Sequence, residues 1–532
     1  MEAVICSSLQ KIFTAQKDLP PESNKLFLFK GEKGNFQLAV RNETDAKLKI
    51  TVETNIEYKI YRVNEIYSGL PVSTAAVNCT VLQGGKAGYY PDLLTPFSGE
   101  LNAQKNILYS FWIEVFAEKK DEELKITVTD EKSRKELNAS VFVNNNALLP
   151  QELIYTDWFH SDCLASYYNV PVFSEDYWRI TENFIKNAAE HGINCLLTPL
   201  FTPPLDTEIG KERPTVQLVT VTKKGYTYSF DFSLLTKWIE TAKRNGIKYF
   251  ELSHLFTQWG AKAAPKIMAY TSNGYKRIFG WETKSTSQGY MSFLRQFGAS
   301  LTEYARENGL TESFFVHCSD EPGKKDIRTY KKCAAAIKEY FGEFTHIDAL
   351  SDYEFYGEGL VKLPVPEEGA IEDFYCKVPE LWTYYCCGQY NNELPNRFFA
   401  MPGIRTRIIG VLLYKYNCTG FLHWGFNFYF SQYSKRLLDP FTETDAGNAF
   451  PSGDSFCVYP GENGEPLPSL REKVFFDALQ DMRALKTAEE MTSRDTVLGL
   501  IEEVLGDINF NNYPMDENKL FELRKRLFES AI

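Results

Sequence analysis

Apolar and polar residues alternate one by one through the first part of the chain. The segments KLFLFKG (25–31), GNFQLAVRN (34–42), KLKITVET (47–54), YKIYRVNEIY (58–67), LYSFWIEVFA (108–117), ELKITVTD (123–130) and ASVFVNN (139–145) all show it. A period of two places successive side chains on opposite faces of a strand, and polar or glycine-containing stretches separate the segments. This pattern predicts an antiparallel β-sandwich over residues 1–146. From Leu153 onward, short apolar runs alternate with amphipathic helical stretches, the rhythm of βα units around a parallel sheet. The predicted strands are Leu153–Trp158, Asn194–Thr198, Tyr249–Leu252, Ser313–Cys318, His346–Leu350, Ile371–Cys376, Trp382–Cys386 and Gly420–Trp424. The predicted helices are Glu175–His191, Phe232–Asn245, Tyr290–Asn308, Lys325–Phe341, Asn396–Tyr416 and Arg471–Leu485. Three helices close on His191-Gly192, Asn245-Gly246 and Asn308-Gly309, where glycine suits the turn back into a strand. The expectation is an irregular (β/α)8 TIM-type barrel over 147–486, its fifth and sixth connections poor in helix signal, followed by a helical tail over 487–532.

Composition narrows the function. The net charge of −12, with no basic stripe, argues against nucleic acid, whose phosphates demand clustered Lys and Arg. No run approaches the roughly 20 apolar residues of a membrane helix. Met1–Gln16 has no basic head followed by an apolar core, so no signal peptide is expected. The eleven cysteines are scattered without CxxC spacing and fit free thiols in a cytoplasmic protein. Aromatic residues make up 15% of the chain, a surplus compatible with a stacking cleft.

In barrels of this class the chemistry sits at the carboxyl ends of the strands. There the sequence places Asp157 to Asp162, Glu251 to His254, His317 to Pro322, Trp382 to Tyr385 and His423 to Asn427. Asp320-Glu321 is the sharpest signal. Most glycosidases set two carboxyl groups roughly 5–10 Å apart across the scissile bond. Adjacent residues, with Cα atoms only about 3.8 Å apart, cannot straddle a sugar in that way. They suit a substrate-assisted route, in which a 2-acetamido oxygen of the substrate attacks its own anomeric carbon. One carboxylate then steadies the acetamido group while the other protonates the leaving oxygen. Ser-Asp-Glu-Pro-Gly is also good turn and capping sequence, so the pair could simply cap the helix predicted at Lys325–Phe341.

The string HCSDEP (317–322) resembles the acidic motif of glycoside hydrolase family 123, the retaining β-N-acetylgalactosaminidases, and of the wider DUF4091 catalytic domain. Further stretches that carry the likeness are GYYPDLL (88–94), LWTYYCCGQYNNELPNRFF through RTRIIG (381–410) and GFLHWGFNFY (420–429). The resemblance implies Glu321 as general acid/base, Asp320 as the residue polarising the acetamido group, and a GalNAc-containing glycan or glycolipid as substrate.

Around the pair, Trp424 is a candidate stacking platform, Tyr384 a hydrogen-bond donor to the acetamido or anomeric region, and His254 and Asn427 candidate hydroxyl ligands. Asp157, His160 and Asp162 are weaker candidates. His160, His254, His317 and His423 lie near strand ends, but neither an HxH pair nor HExxH occurs, so no metal is expected; His317 reads as a core or supporting residue. No GxSxG is present, and Cys318 and Cys386 read as small hydrophobes. The expectation is a cofactor-free, retaining exo-β-N-acetylgalactosaminidase. The alternatives are a glycosidase of the same fold acting on another sugar and a non-catalytic carbohydrate-binding protein.

Overall fold

A computed structural model of the chain describes residues 1–118 and 121–531. Two five-stranded sheets come first. One runs Glu2–Ser7, Glu32–Arg41, Leu108–Ala117, Tyr58–Ser68, Gly88–Pro96 in spatial order; the other runs Lys25–Lys30, Arg134–Ala147, Glu122–Thr129, Ala46–Glu53, Glu100–Ala103. Their facing residues interdigitate: Leu38, Phe111 and Ile113 from the first pack with Ile126, Val128 and Val141 from the second. The pairing is antiparallel except where Arg134–Ala147 runs parallel to Lys25–Lys30. The seven predicted segments are strands here. Glu2–Ser7, Gly88–Pro96 and Glu100–Ala103 are further strands.

The second region is an eight-stranded parallel sheet nearly closed into a barrel. Its strands are β1 Ile154–Asp157, β2 Cys195–Thr198, β3 Tyr249–Leu252, β4 Phe314–Val316, β5 Thr345–Ala349, β6 Leu363–Val365, β7 Trp382–Tyr384 and β8 Gly420–His423. They pair in the order β6-β5-β4-β3-β2-β1-β8-β7. The remaining seam, between β6 and β7, is bridged by the Tyr384 N–H donating to Pro366 O at 3.1 Å and the Thr383 hydroxyl donating to the same oxygen at 3.0 Å. Alternate residues of the strands fill the interior: Leu197, Phe315, Ile347, Leu363, Trp382 and Leu422 are buried in one cluster, with Trp158, Ala349 and Tyr384 at its upper end. Gly420 is required by that packing, because a Cβ there would lie 2.0 Å from the Trp382 ring.

Helices Glu175–Glu190, Ser233–Arg244 and Gln288–Glu307 follow β1, β2 and β3, and Gly192, Gly246 and Gly309 turn the chain at their ends with φ of +90°, +101° and +63°. Ser174 starts the first of them, accepting from the Tyr177 N–H at 3.2 Å, with Glu175 and Asp176 in the first turn. The sixth strand is not where the apolar pattern puts it. Residues 368–373 form a 3-10 helix, and the strand is Leu363–Val365, with Pro364 at its centre and Pro366 directly after it. Prolines are tolerated there because one side of β6 forms the seam, where no ladder of N–H donors is needed. The predicted helix Asn396–Tyr416 is shorter, comprising Gly403–Arg407 and Ile409–Lys415. A four-stranded sheet (Thr220–Lys224, Thr227–Asp231, Ile267–Thr271, Gly274–Phe279) joins the long connections that follow β2 and β3.

The helix Leu470–Met491 runs across residue 486 and joins the two regions. Buried Arg471 pairs with Asp92 at 2.8 Å, Lys473 with Glu114 at 2.9 Å, and Asn35 donates to Asp477 at 2.7 Å. After it come helices Arg494–Leu505 and Glu517–Ser530. The last returns to the N-terminal sheets, where Arg524 meets Glu32 at 2.5 Å and Asn144 donates to Phe528 O at 2.9 Å. Among the described residues no helix is long and apolar enough to cross a membrane, and all eleven cysteines are free.

Candidate active site

The carboxyl ends of the barrel strands enclose a cleft of about 700 Å³. Trp158 and His160 come from the end of β1, Ala349 from β5, Tyr384, Cys386 and Cys387 from β7, and Leu422 and Trp424 from β8. The long connections after β2 and β3 add Asp206, Gln258 and Trp259, and the segment after β8 adds Phe428 and Phe450. Asp320 and Glu321, just beyond β4, both line this one cleft.

The pair does not cap the helix that follows. A 3-10 turn, Lys324–Asp326, intervenes, and the helix Ile327–Tyr340 starts at Asp326. Main-chain bonds hold the pair instead: the Glu321 N–H donates to Ala349 O at 3.1 Å, and Asp320 O accepts from the Trp259 N–H at 3.0 Å. Glu321 adopts a left-handed backbone with φ of +44°, and Trp259 and Asp206 across the cleft have φ of +59° and +38°. Such conformations cost on the order of 1–3 kcal/mol each for non-glycine residues and persist only where the surroundings enforce them. Three around one cavity mark a place where the backbone is bent to aim side chains.

The two carboxyl groups have different neighbours. The Tyr384 hydroxyl donates to Glu321 Oε1 at 2.6 Å. Lost hydration pushes the Glu321 carboxyl above the ordinary range; Tyr384 opposes this, while Glu367 and Asp454 reinforce it. Asp320 is pushed further up, by lost hydration and by Glu321 beside it, with His317 beneath pulling the other way and Asp348 and Glu251 adding to the rise. Glu321 is exposed at the cleft opening, and Asp320 is half-buried.

Below them lies a sealed layer. His317 joins Glu251 through Nε2 at 2.5 Å and Asp348 through Nδ1 at 3.1 Å, and all three side chains are fully buried. Glu251 also accepts from the Thr156 hydroxyl at 2.5 Å and the Trp158 indole at 2.7 Å. Asp348 accepts from Tyr330, from His346 at 3.0 Å and from the Cys318 N–H at 3.0 Å. Burial alone would discharge His317, but the two carboxylates outweigh it and lift its pKa to about 9, so it is an imidazolium. Asp348 is held well below the usual carboxylate range: burial opposes this, and His346 and His317 overcome it.

Trp424 and Tyr384, both expected at the site, are on its wall. Trp424 is fixed by its indole donating to Asp454 at 2.9 Å and by ring contacts with Phe428 and Phe450, at centroid separations of 5.1 and 5.4 Å. His254 and Asn427 are not on the wall. His254 is buried and stacks on His317 at 4.1 Å. Asn427 is buried and spent on the main chain of His160, accepting from its N–H at 2.8 Å and donating to its carbonyl at 3.2 Å. Of the weaker candidates, Asp157 is buried in a pair with Arg397 at 2.8 Å, and Asp162 in a pair with Arg213 at 2.7 Å. His160 reaches the cleft with its ring bonded to Trp424 O at 2.9 Å. Cys386 lines the cleft as well, whereas Cys318 is buried beneath it.

Strand-end reasoning missed the wall residues Gln258, Trp259 and Phe450 and, of most consequence for the chemistry, Asp206. It lies within the connection after β2, its carboxylate accepting from the Tyr433 N–H at 3.0 Å and its own N–H donating to Gln258. Burial lifts its pKa to about 6, against the pull of the Tyr433 N–H and of Arg213.

The sequence profile of the glycoside hydrolase 123 catalytic domain matches residues 158–488. The chain belongs to glycoside hydrolase family 123. The matched span of this glycosidase starts at Trp158 and contains the whole cleft and the Leu470–Met491 helix up to residue 488. A family 123 glycoside hydrolase from Clostridium perfringens has a similar structure, with a TM-score of 0.76 at 17% identity, covering 100% of this chain and 98% of that one. The likeness therefore extends through the N-terminal sheets and the tail. Bacteroides uniformis β-glucuronidase 2 aligns with a TM-score of 0.32 at 11% identity, over 86% of this chain and 49% of that one. No curated protein sequence matches this family 123 chain.

Proposed function

We propose that this family 123 glycosidase is a retaining exo-β-N-acetylgalactosaminidase that uses the 2-acetamido group of its substrate as nucleophile. The observation that carries the reading is that two consecutive carboxyl groups line one aromatic-walled cleft, too close together to act from opposite sides of a sugar. The Clostridium perfringens relative is described in terms of glycolipid glycan hydrolysis, which agrees with a glycan or glycolipid substrate here. Residues 147–486 would be the catalytic domain, with 1–146 an accessory domain and 487–532 a tail that fastens the two.

In this mechanism Trp424 carries the apolar face of the terminal sugar, and Asp206 accepts from its hydroxyl groups. Glu321 holds a proton, as its upward shift favours, and donates it to the glycosidic oxygen as the bond to the anomeric carbon breaks. The acetamido oxygen attacks that carbon from the other face, giving an oxazolinium ion. Asp320 has no hydrogen-bond donor among the described residues, and the substrate amide N–H supplies one. Together with the imidazolium of His317, that N–H favours the Asp320 anion as positive charge develops on the acetamido group. Glu321, now ionised, takes a proton from water as it opens the oxazoline, so the anomeric configuration is retained.

The test is a matched set of aryl β-glycosides of GalNAc, GlcNAc, galactose and glucose, with a thiazoline analogue of the cyclised intermediate as inhibitor. GalNAc should be preferred, galactose turned over at least 10³-fold more slowly, and the thiazoline should bind far more tightly than substrate. Equal rates on galactoside and GalNAc would indicate a same-fold glycosidase with another nucleophile. Binding without turnover of any member would indicate a carbohydrate-binding protein.

A further inference from the structure

Cys386 and Cys387 are consecutive, and both line the aromatic cleft beside Glu321 and Tyr384. Both are partly exposed, whereas most of the other cysteines are buried. Of the rest, Cys79 accepts from an Arg405 N–H at 2.8 Å, and Cys376 is exposed on a turn. Two neighbouring thiols opening on one cleft are a chemical feature that the proposed hydrolysis does not use.

The two thiols are in contact, and they are not equivalent. The Cys387 thiol, lost hydration and the charge of Glu321 push the Cys386 thiol well above its ordinary value, so it stays protonated. The first attack on an external disulfide therefore falls to Cys387. Its sulfur bonds to one sulfur of that disulfide and expels the other as a thiolate. The mixed disulfide no longer holds a thiol against Cys386, which removes the largest influence on it. Cys386 then releases its proton to water, and its sulfur attacks the Cys387 sulfur and expels the second small thiolate. The two expelled thiolates take up protons. The small disulfide has become two thiols, and the cysteine pair has lost two hydrogens and gained one sulfur–sulfur bond.

The resulting ring is strained. Cα atoms of adjacent residues lie about 3.8 Å apart, short of the roughly 4.4–6.8 Å usual for a disulfide. A bond of that kind is easily reduced, which suits a reversible modification and not a structural staple. The backbone has to yield to form it, and this backbone is tied down. The Cys386 N–H donates to Gln389 Oε1 at 2.8 Å, and Cys386 O accepts from the Gln389 N–H at 3.2 Å and from the Asn396 side chain at 2.9 Å. The Gln389 side chain donates in turn to Glu367. Closure therefore pulls on the turn after β7, two residues beyond the Tyr384 that bonds Glu321.

We propose that Cys386 and Cys387 are a thiol modification site, closed to a disulfide by a low-molecular-weight disulfide and reopened by thiols, and that the closed form displaces this wall of the cleft and slows turnover. Bond formation stands on the cysteine pair alone; its effect on turnover rests on the cleft being the active site.

The test equilibrates the whole chain at rising ratios of glutathione disulfide to glutathione, alkylates the remaining thiols after unfolding, and reads peptide masses beside turnover of an aryl β-GalNAc glycoside. The peptide carrying residues 386 and 387 should lose two hydrogens at ratios where the other cysteines still alkylate. Turnover should fall by about tenfold, since small displacements of reacting groups cost that much or more, and should return with dithiothreitol. Serine replaces a thiol with little change of shape, so single variants keep the fold. In Cys386→Ser the ring cannot close, and Cys387 should stop at a glutathione adduct. In Cys387→Ser neither adduct nor ring should form, and turnover should stay at that variant's own reduced level. Absence of the two-hydrogen loss at every ratio, closure with no change in turnover, or a Cys387→Ser variant inhibited as fully as the unaltered enzyme would overturn the proposal. A reduced enzyme that turns over no glycoside would overturn the catalytic reading instead, and the mass change would still decide whether the bond forms.

Discussion

Two layers of carboxylates lie one above the other at the top of the barrel, and they are treated in opposite ways. In the lower layer Glu251 and Asp348 grip His317, every partner is satisfied, and water is excluded. In the upper layer Asp320 and Glu321 share a cleft wall, receive one side-chain hydrogen bond between them, from Tyr384, and are pushed toward their protonated forms. The side chains are the same types. What separates scaffold from reactive group is whether a cation lies within bonding distance, and the lower layer has taken it. Arranging donors for the lower pair leaves the upper pair short of them, which is the condition under which a carboxyl group keeps a proton to give away.

The sharpest way to break this contrast is at Glu321. Glu321→Gln should lower kcat/KM by about 10³-fold on substrates with poor leaving groups and far less on activated aryl glycosides, which need little protonation. Equal losses on both would remove the acid role from the upper layer. Next in size, His317→Ala would strand two buried carboxylates and should destabilise the fold by about 3–5 kcal/mol in denaturant unfolding. The same residue gives the lower layer a pH signature. Because the folded-state pKa of His317 is raised from 6.5 to about 9, its stabilisation is complete below 6.5 and is lost as pH rises through about 9. Unfolding free energy should therefore fall on the alkaline side in the unaltered protein and lose that slope in His317→Gln. The smallest effect separates the two upper groups. Tyr384 stabilises ionised Glu321, so Tyr384→Phe should raise the Glu321 pKa further and move the alkaline limb of the kcat/KM profile to higher pH, with a rate loss within about tenfold. A limb displaced downward would mean that Tyr384 serves some other group.

Much of this was legible in the sequence because barrel strands are short, apolar and bounded by helices, and seven of the eight fall on predicted runs. The exception teaches why. Leu363–Val365 is punctuated by prolines, which read as breakers unless the strand is known to border a seam, and the better apolar run nearby, Ile371–Cys376, is divided between the end of a 3-10 helix and the turn after it. The acidic pair was found because two adjacent carboxyls after an apolar run are conspicuous in one dimension. Asp206 was not, since it enters from deep inside a long connection whose path is set by its contacts with Gln258 and Tyr433. His254 and Asn427 sit at strand ends but spend their side chains inward: strand-end position gives depth along the barrel, and the direction a side chain takes beyond it depends on neighbours that are distant in sequence.

The helix Glu517–Ser530 has a bearing on how this protein is made. Its Arg524 neutralises Glu32, a buried carboxyl 492 positions earlier, and Asn144 reaches its last turn at Phe528. During synthesis the sheets bearing Glu32 and Asn144 emerge well before the cation that they wait for, which lies 492 positions downstream of the acid. Until then they carry an uncovered face and an unmatched acid, so their final consolidation is deferred until the helix Glu517–Ser530 is available, and removing that helix should damage sheets that were translated long before it.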